Sequence, residues 1–137
     1  MKNLVNFFHQ VGKLKEMPRR GWVLRDIKNP ESIADHMFRS AIMAWVLGSA
    51  KKEKLNMEKV IKIAIIHDLC EVYAGDETPY DSILPASKKA RKALLQTWPR
   101  FSEKEKKKIA ARKYKREKRG LEKLIKNLPS YLKNEIK

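Results

Sequence analysis

A histidine and an aspartate stand side by side at His67-Asp68, and Glu71 follows four residues after the histidine, on the same side of a helix. Ionisable groups on an apolar helix need partners, because taking a bare carboxylate out of water costs several kcal/mol even after relaxation. A second histidine, His36, lies on the preceding apolar-periodic segment, next to Met37 and near the edge of its apolar face. If the two helices pack antiparallel, His36 faces His67. Two imidazoles and a carboxylate then make a mixed N/O site suited to a first-row divalent cation. Either histidine alone is more often a satisfied core residue, but an adjacent His-Asp pair with a trailing glutamate tips the reading toward metal chemistry.

Helical elements position these groups. Ile33, Met37, Ala41, Ala44 and Trp45 trace one face of a helix that Asn29, Pro30 and Glu31 are placed to start and that should run to about Gly48 or Ser49. The next helix, from about Met57 to a stop at Gly75, carries Val60, Ile61, Ala64, Ile65 and Leu69. It is apolar nearly all round, which predicts a place in the middle of a bundle. Phe7, Phe8, Val11 and Leu14 predict a first helix over residues 3–15, ended by Pro18, and residues 19–30 read as an extended connection with Trp22 in it. A proline-punctuated loop over 76–85 precedes a helix from Ser87 to Trp98. A long basic helix follows over 102–128, with Ser102 and Glu105 spaced as a capping box, and Pro129-Ser130 open a last short one. Met17, Met37, Met43 and Trp45 are expected as core, and the Trp98 indole as an anchor for the basic helix.

At 137 residues, with 42% hydrophobic and 35% charged residues and 5 glycines, the chain has the size and composition of one helical domain, the basic segment 86–128 being part of it. No apolar run approaches the ~20 residues of a membrane span. The first residues lack a secretory signal and Cys70 is the one cysteine, so a cytoplasmic protein without disulfides is expected. The net charge is +16, of which +14 falls after Ala86.

The block Glu31-Ser32-Ile33-Ala34-Asp35-His36-Met37, together with the run His67-Asp68-Leu69-Cys70-Glu71 through Asp76-Glu77-Thr78-Pro79, resembles the HD-domain superfamily of metal-dependent phosphohydrolases. More closely it resembles the branch that holds the 5′-deoxynucleotidases and the HD-domain-containing protein 2 group. The resemblance implies an all-α HD-domain bundle that hydrolyses nucleoside 5′-monophosphates. His36, His67 and Asp68 would be the metal ligands, the ion being manganese, cobalt, magnesium, iron, nickel or zinc. It implies that Glu71 positions or deprotonates water and that Asp76 protonates the leaving oxygen, or that both, with Glu77, hold a second ion. Trp22 would pack against the nucleoside and Arg19 or Arg20 would contact phosphate, since Gly21 stands where some relatives have arginine.

The family pattern also has an aspartate ligand on a later helix, and no aspartate follows Asp81. The chain therefore reads as a family member cut short at its C-terminal end, with weak or no turnover expected. Two other roles compete. A metal-binding assembly module would use an uncovered apolar face to form a homodimer or to take a partner chain. A nucleic-acid binder would use the basic run 104–126, but Tyr114 is its sole aromatic, and a lysine-rich helix is more often a solvated face.

Overall fold

The structure, a computed structural model, describes residues 1–51 and 54–136. Among them every regular element is helical: α1 (Lys2–Gly12), α2 (Arg20–Leu24), α3 (Ile33–Ala50), α4 (Met57–Ile66), α5 (Glu71–Ala74), α6 (Lys88–Thr97), α7 (Glu103–Ile125) and α8 (Ser130–Ile136). Short 3-10 turns cover Lys13–Glu16 and Pro79–Ser82. The all-α class expected from sequence holds.

The core forms where four pieces meet. Leu14 comes from the turn after α1, Ile33 and Met37 from the start of α3, Leu69 from the junction after α4, and Leu124, Ile125 and Leu128 from the end of the basic helix. Burying each such side chain is worth roughly 1.5–3 kcal/mol. The basic segment thus lends its last turns to the same core that holds the start of α3.

Several expectations are corrected. Residues 19–30 are not simply extended. Arg20–Leu24 form α2, a single turn too short to show a hydrophobic period, whose first N–H, that of Arg20, is satisfied by the distant Asp76 carboxylate at 2.8 Å. The α3 helix starts three residues later than the Asn29-Pro30 signal suggests. Ser32 is its cap, accepting from the Asp35 N–H at 3.1 Å, while the Asp35 carboxylate accepts from the Ser32 N–H at 2.9 Å. Asn29 instead takes a left-handed turn conformation, φ 56°. The single helix expected over 57–75 is broken into α4 and α5.

The position of α4 also differs. It has no buried residue, and Ile63 and Ile65 are half exposed, as are Trp45 and Met43 of α3. The α3–α4 pair packs on itself along one seam and leaves the other apolar sides of both helices uncovered, so all-round hydrophobicity did not translate into a central place. Met37 is in the core and Met17 packs against it, as expected. The Trp98 indole packs T-shaped against Tyr80, whose ring also meets Phe101 just before α7, and lies under the Arg25 guanidinium.

Candidate metal centre

The break between α4 and α5 brings the site together. On a regular helix, neighbouring residues point about 100° apart. After Ile66 the backbone tightens, with Leu69 N–H donating to the Ile66 carbonyl and Glu71 N–H to that of Asp68, both three residues back. His67 and Asp68 can then present their polar atoms together, His67 Nε2 lying 3.2 Å from Asp68 Oδ2. His36 meets them from the first turns of α3, its Nε2 3.4 Å from His67 Nε2 and 3.6 Å from Asp68 Oδ2. Arg19 is fixed beside them because the strand-like pieces around Pro18 and Ser32 pair: Arg19 N–H donates to the Glu31 carbonyl and Ile33 N–H to that of Met17.

The donor set fits a divalent cation. His67 Nδ1 lies 2.8 Å from the Ala64 carbonyl oxygen, which places the proton there and leaves the Nε2 lone pair facing inward. Burial first, then the Arg19 guanidinium, lower the His36 pKa, with Asp68 opposing, so this ring too is set toward its neutral, ligating form. Two imidazole lone pairs and a carboxylate oxygen aimed at one another repel unless a cation stands among them. Among the described residues, His36, His67 and Asp68 are the one group of three or more such side chains whose ligand atoms all converge, within 4.8 Å.

The remaining sequence candidates fall around this centre. Arg19 Nη1 reaches Asp68 at 3.2 Å, Asp76 at 3.3 Å and Glu71 at 3.8 Å, so one guanidinium serves three carboxylates. Glu71 is 1% exposed, and its Oε2 has no hydrogen-bond partner. Burial first, then Asp68 and Asp76, push its pKa up to about 8, against the pull of Arg19. Arg20 turns the other way and grips Asp81 through Nε and Nη2, both at 2.7 Å. Glu77 is drawn to α7 by Arg112 and Arg116, apart from Glu71 and Asp76.

Trp22 donates from Nε1 to Glu31 Oε1 at 3.1 Å. With Arg19, Glu31, His36, Arg39 and Asp76 it lines an open cleft of about 670 Å³ beside the ligand atoms. Sequence reasoning missed Glu31 and Arg39 as members of this cleft. Arg39 is ion-paired to Glu31 and stands three residues after His36, a spacing that puts both on one helix face and could have found it. Cys70 is buried, and burial with nearby carboxylates pushes its thiol up to about 12, which leaves it no nucleophilic role.

A helical fold that aims two imidazoles and an aspartate at one point, with an acid held in the dry wall beside them, defines a metal-binding HD-type domain. The sequence matches the HD domain family over residues 11–137, and the chain belongs to that family. It is 42% identical over 91 residues to a 5′-deoxynucleotidase HDDC2 of Homo sapiens, a match spanning 66% of this chain and 43% of that protein. It is 35% identical over 135 residues to the Xenopus laevis 5′-deoxynucleotidase HDDC2, spanning 98% of this chain and 53% of that one. The chain thus spans about half the length of the curated relatives it matches. Among solved structures, a conserved hypothetical protein from Pyrococcus furiosus superposes with a TM-score of 0.54 at 37% identity, covering 66% of this chain and 55% of that one.

Proposed function

We propose that this chain is a single cytoplasmic HD domain that hydrolyses a nucleoside 5′-monophosphate, most closely a deoxynucleotide, to nucleoside and phosphate. The observation that carries the reading is the convergence of His36 Nε2, His67 Nε2 and Asp68 Oδ2. The names of the HDDC2 relatives supply the substrate class.

His36, His67 and Asp68 would hold one divalent cation, which when bound supplies charge neutralisation and activation of water. Glu71, in the carboxylate form that burial makes a stronger base, accepts the proton of the attacking water as its oxygen bonds to phosphorus. Asp76, a third acid on the Arg19 guanidinium, is assigned in its protonated form to give a proton to the 5′ oxygen as the P–O bond breaks. Arg19 clamps phosphate, and the 41% exposed Trp22 indole offers a face to the base. Arg20 acts by holding α2 in place through Asp81. A second ion on Glu71 and Asp76 would require Arg19 to swing away, and Glu77 to leave its arginines.

The test is metal content together with phosphate release from deoxynucleoside and ribonucleoside 5′-monophosphates. The wild-type chain should bind manganese, cobalt or another first-row ion and, without the family's later aspartate, release phosphate weakly. His67→Ala should lose both. Unchanged metal content in His67→Ala would remove the site.

The uncovered sides of α3 and α4 favour a further role as an assembly module. Phe38, Ile42 and Trp45 stand exposed along α3, and with Ile61 and Ile65 of α4 they line an apolar groove of about 430 Å³. We assign this face to a homodimer contact.

A further inference from the structure

The two arginines that open α2 face different places. Arg19 belongs to the metal centre, whereas Arg20 lines a separate cleft of about 540 Å³ between α2 and α6. That cleft is strongly basic. Arg25 at the end of α2 and Lys88, Arg91 and Lys92 on the first turns of α6 all border it, against one acid, Asp26. Among the described residues no carboxylate pairs with any of these four cations; Arg91 donates to the Ala86 carbonyl oxygen, and Arg25 lies over the Trp98 ring, 4.4 Å from its centre.

The rest of the lining is largely apolar: Val23, Leu24, Leu95 and Trp98 border the same cleft. Trp98 is held at φ 42°, a left-handed conformation that a bulky residue adopts only when its surroundings impose it, here immediately before a proline. In this conformation the indole lies under the Arg25 guanidinium and T-shaped against the Tyr80 ring, 4.8 Å between centres, and lines the cleft.

Four cations without a carboxylate partner call for a ligand with several negative charges, and leucine and tryptophan in the same lining call for one that also carries a flat, weakly polar part. The volume is that of a small-molecule site. A track for single-stranded nucleic acid would need a basic groove with several stacking rings, and this cleft has one. We propose that the α2–α6 cleft is a second site, which binds a nucleoside triphosphate with its phosphates on Lys88, Arg91 and Lys92 and its base against Trp98.

The site has a physical line to the metal centre. Arg20 borders the cleft with its side chain, grips Asp81 with its guanidinium, and donates its backbone N–H to Asp76. A polyphosphate in the cleft competes with Asp81 for Arg20, and any displacement of α2 moves Arg19 against Asp68, Glu71 and Asp76. The effect on turnover rests on the hydrolase reading; the binding does not.

ATP is the probe, titrated by calorimetry and by tryptophan fluorescence into wild type, His67→Ala, Trp98→Phe and Lys88→Ala/Arg91→Ala without added divalent cation. Saturable 1:1 binding to wild type and His67→Ala is expected, with affinity at least tenfold weaker in Lys88→Ala/Arg91→Ala and the fluorescence change lost in Trp98→Phe. Both altered cations are exposed, so the double variant should fold, and an unchanged melting temperature confirms that. No saturable binding to wild type overturns the proposal. So does binding that survives in Lys88→Ala/Arg91→Ala but vanishes in His67→Ala, since ATP would then occupy the metal centre. Displacement of ATP by a single-stranded oligonucleotide at concentrations well below the ATP dissociation constant also overturns it, in favour of nucleic acid. None of these readouts measures hydrolysis, so failure here leaves the hydrolase reading standing, and failure of that reading leaves this one intact.

Discussion

Gly120 of α7 lies against the backbone of Cys70, so close that a Cβ on the glycine would meet the Cys70 carbonyl oxygen at 2.6 Å. That oxygen accepts the N–H groups of both Tyr73 and Ala74, so it is part of the frame that holds α5 and, with it, Glu71. The Ala74 nitrogen and Cβ are each 3.2 Å from the same point, which leaves the added methyl no way out through a flexible side chain. Gly120→Ala should therefore destabilise the fold by about 1–3 kcal/mol, the usual cost of overpacking, and read out as a lower denaturant midpoint with an unchanged slope. A wild-type midpoint would mean that α7 and α5 are not in this contact.

Asp81 gives the acid side of the stability curve a handle. Burial alone would raise its pKa, but hydrogen bonds from Arg20 and Thr78 outweigh that and hold the carboxyl below its ordinary value of 3.8. The unfolded chain takes up this proton more readily than the folded one, so the contribution is complete above the ordinary value and disappears as pH falls through the folded one. Asp81→Asn should cost about 2 kcal/mol at neutral pH, a typical loss for charge-assisted hydrogen bonds, and progressively less as pH falls below the ordinary value of 3.8 toward the lower folded one. Denaturation at neutral and at acid pH measures this; equal losses at both would show that the charge is irrelevant.

Arg19 shares its guanidinium with the carboxylates that the centre needs, so its removal should separate binding from chemistry. In Arg19→Ala the cation competing for Asp68 is gone, and affinity for a divalent ion should rise or hold. Phosphate release should fall by about 10–100-fold, the equivalent of one lost charge-assisted contact. A variant with weakened metal binding and undiminished turnover would reverse the assignment.

The homodimer face is tested by charge. Phe38 is 71% and Trp45 55% exposed, so Phe38→Lys/Trp45→Lys has little core to disturb. If the face joins two copies, sedimentation should show wild type as a dimer and the double variant as a monomer with an unchanged melting temperature per chain at high dilution. A monomeric wild type at tens of micromolar would rule out this contact.

Residue types alone disclosed His36, His67, Asp68 and Glu71, because charged groups inside apolar helical runs stand out against the pattern. The same continuity hid the break at His67–Cys70, where nothing in the order of apolar residues marks the tightening. The α2 turn was illegible for a different reason: its first N–H is satisfied by Asp76, a residue 56 positions away. Pro30 drew the start of α3 too early, although Ser32 and Asp35 spelled the true cap. Which of Arg19 and Arg20 would reach the carboxylates depended on the angle of a single turn. The place of α4 followed from what packs on it, which its own composition does not specify.

The tightened turn after Ile66 also bears on how the centre is assembled. Two of its three converging side chains belong to chain neighbours, and the third is separated from His67 by 31 positions. Closing a loop of that length carries a modest entropic cost that grows only with the logarithm of its size. The three converging side chains are thus encoded between positions 36 and 68, and during synthesis they emerge from the ribosome well before Gly120 arrives to brace them.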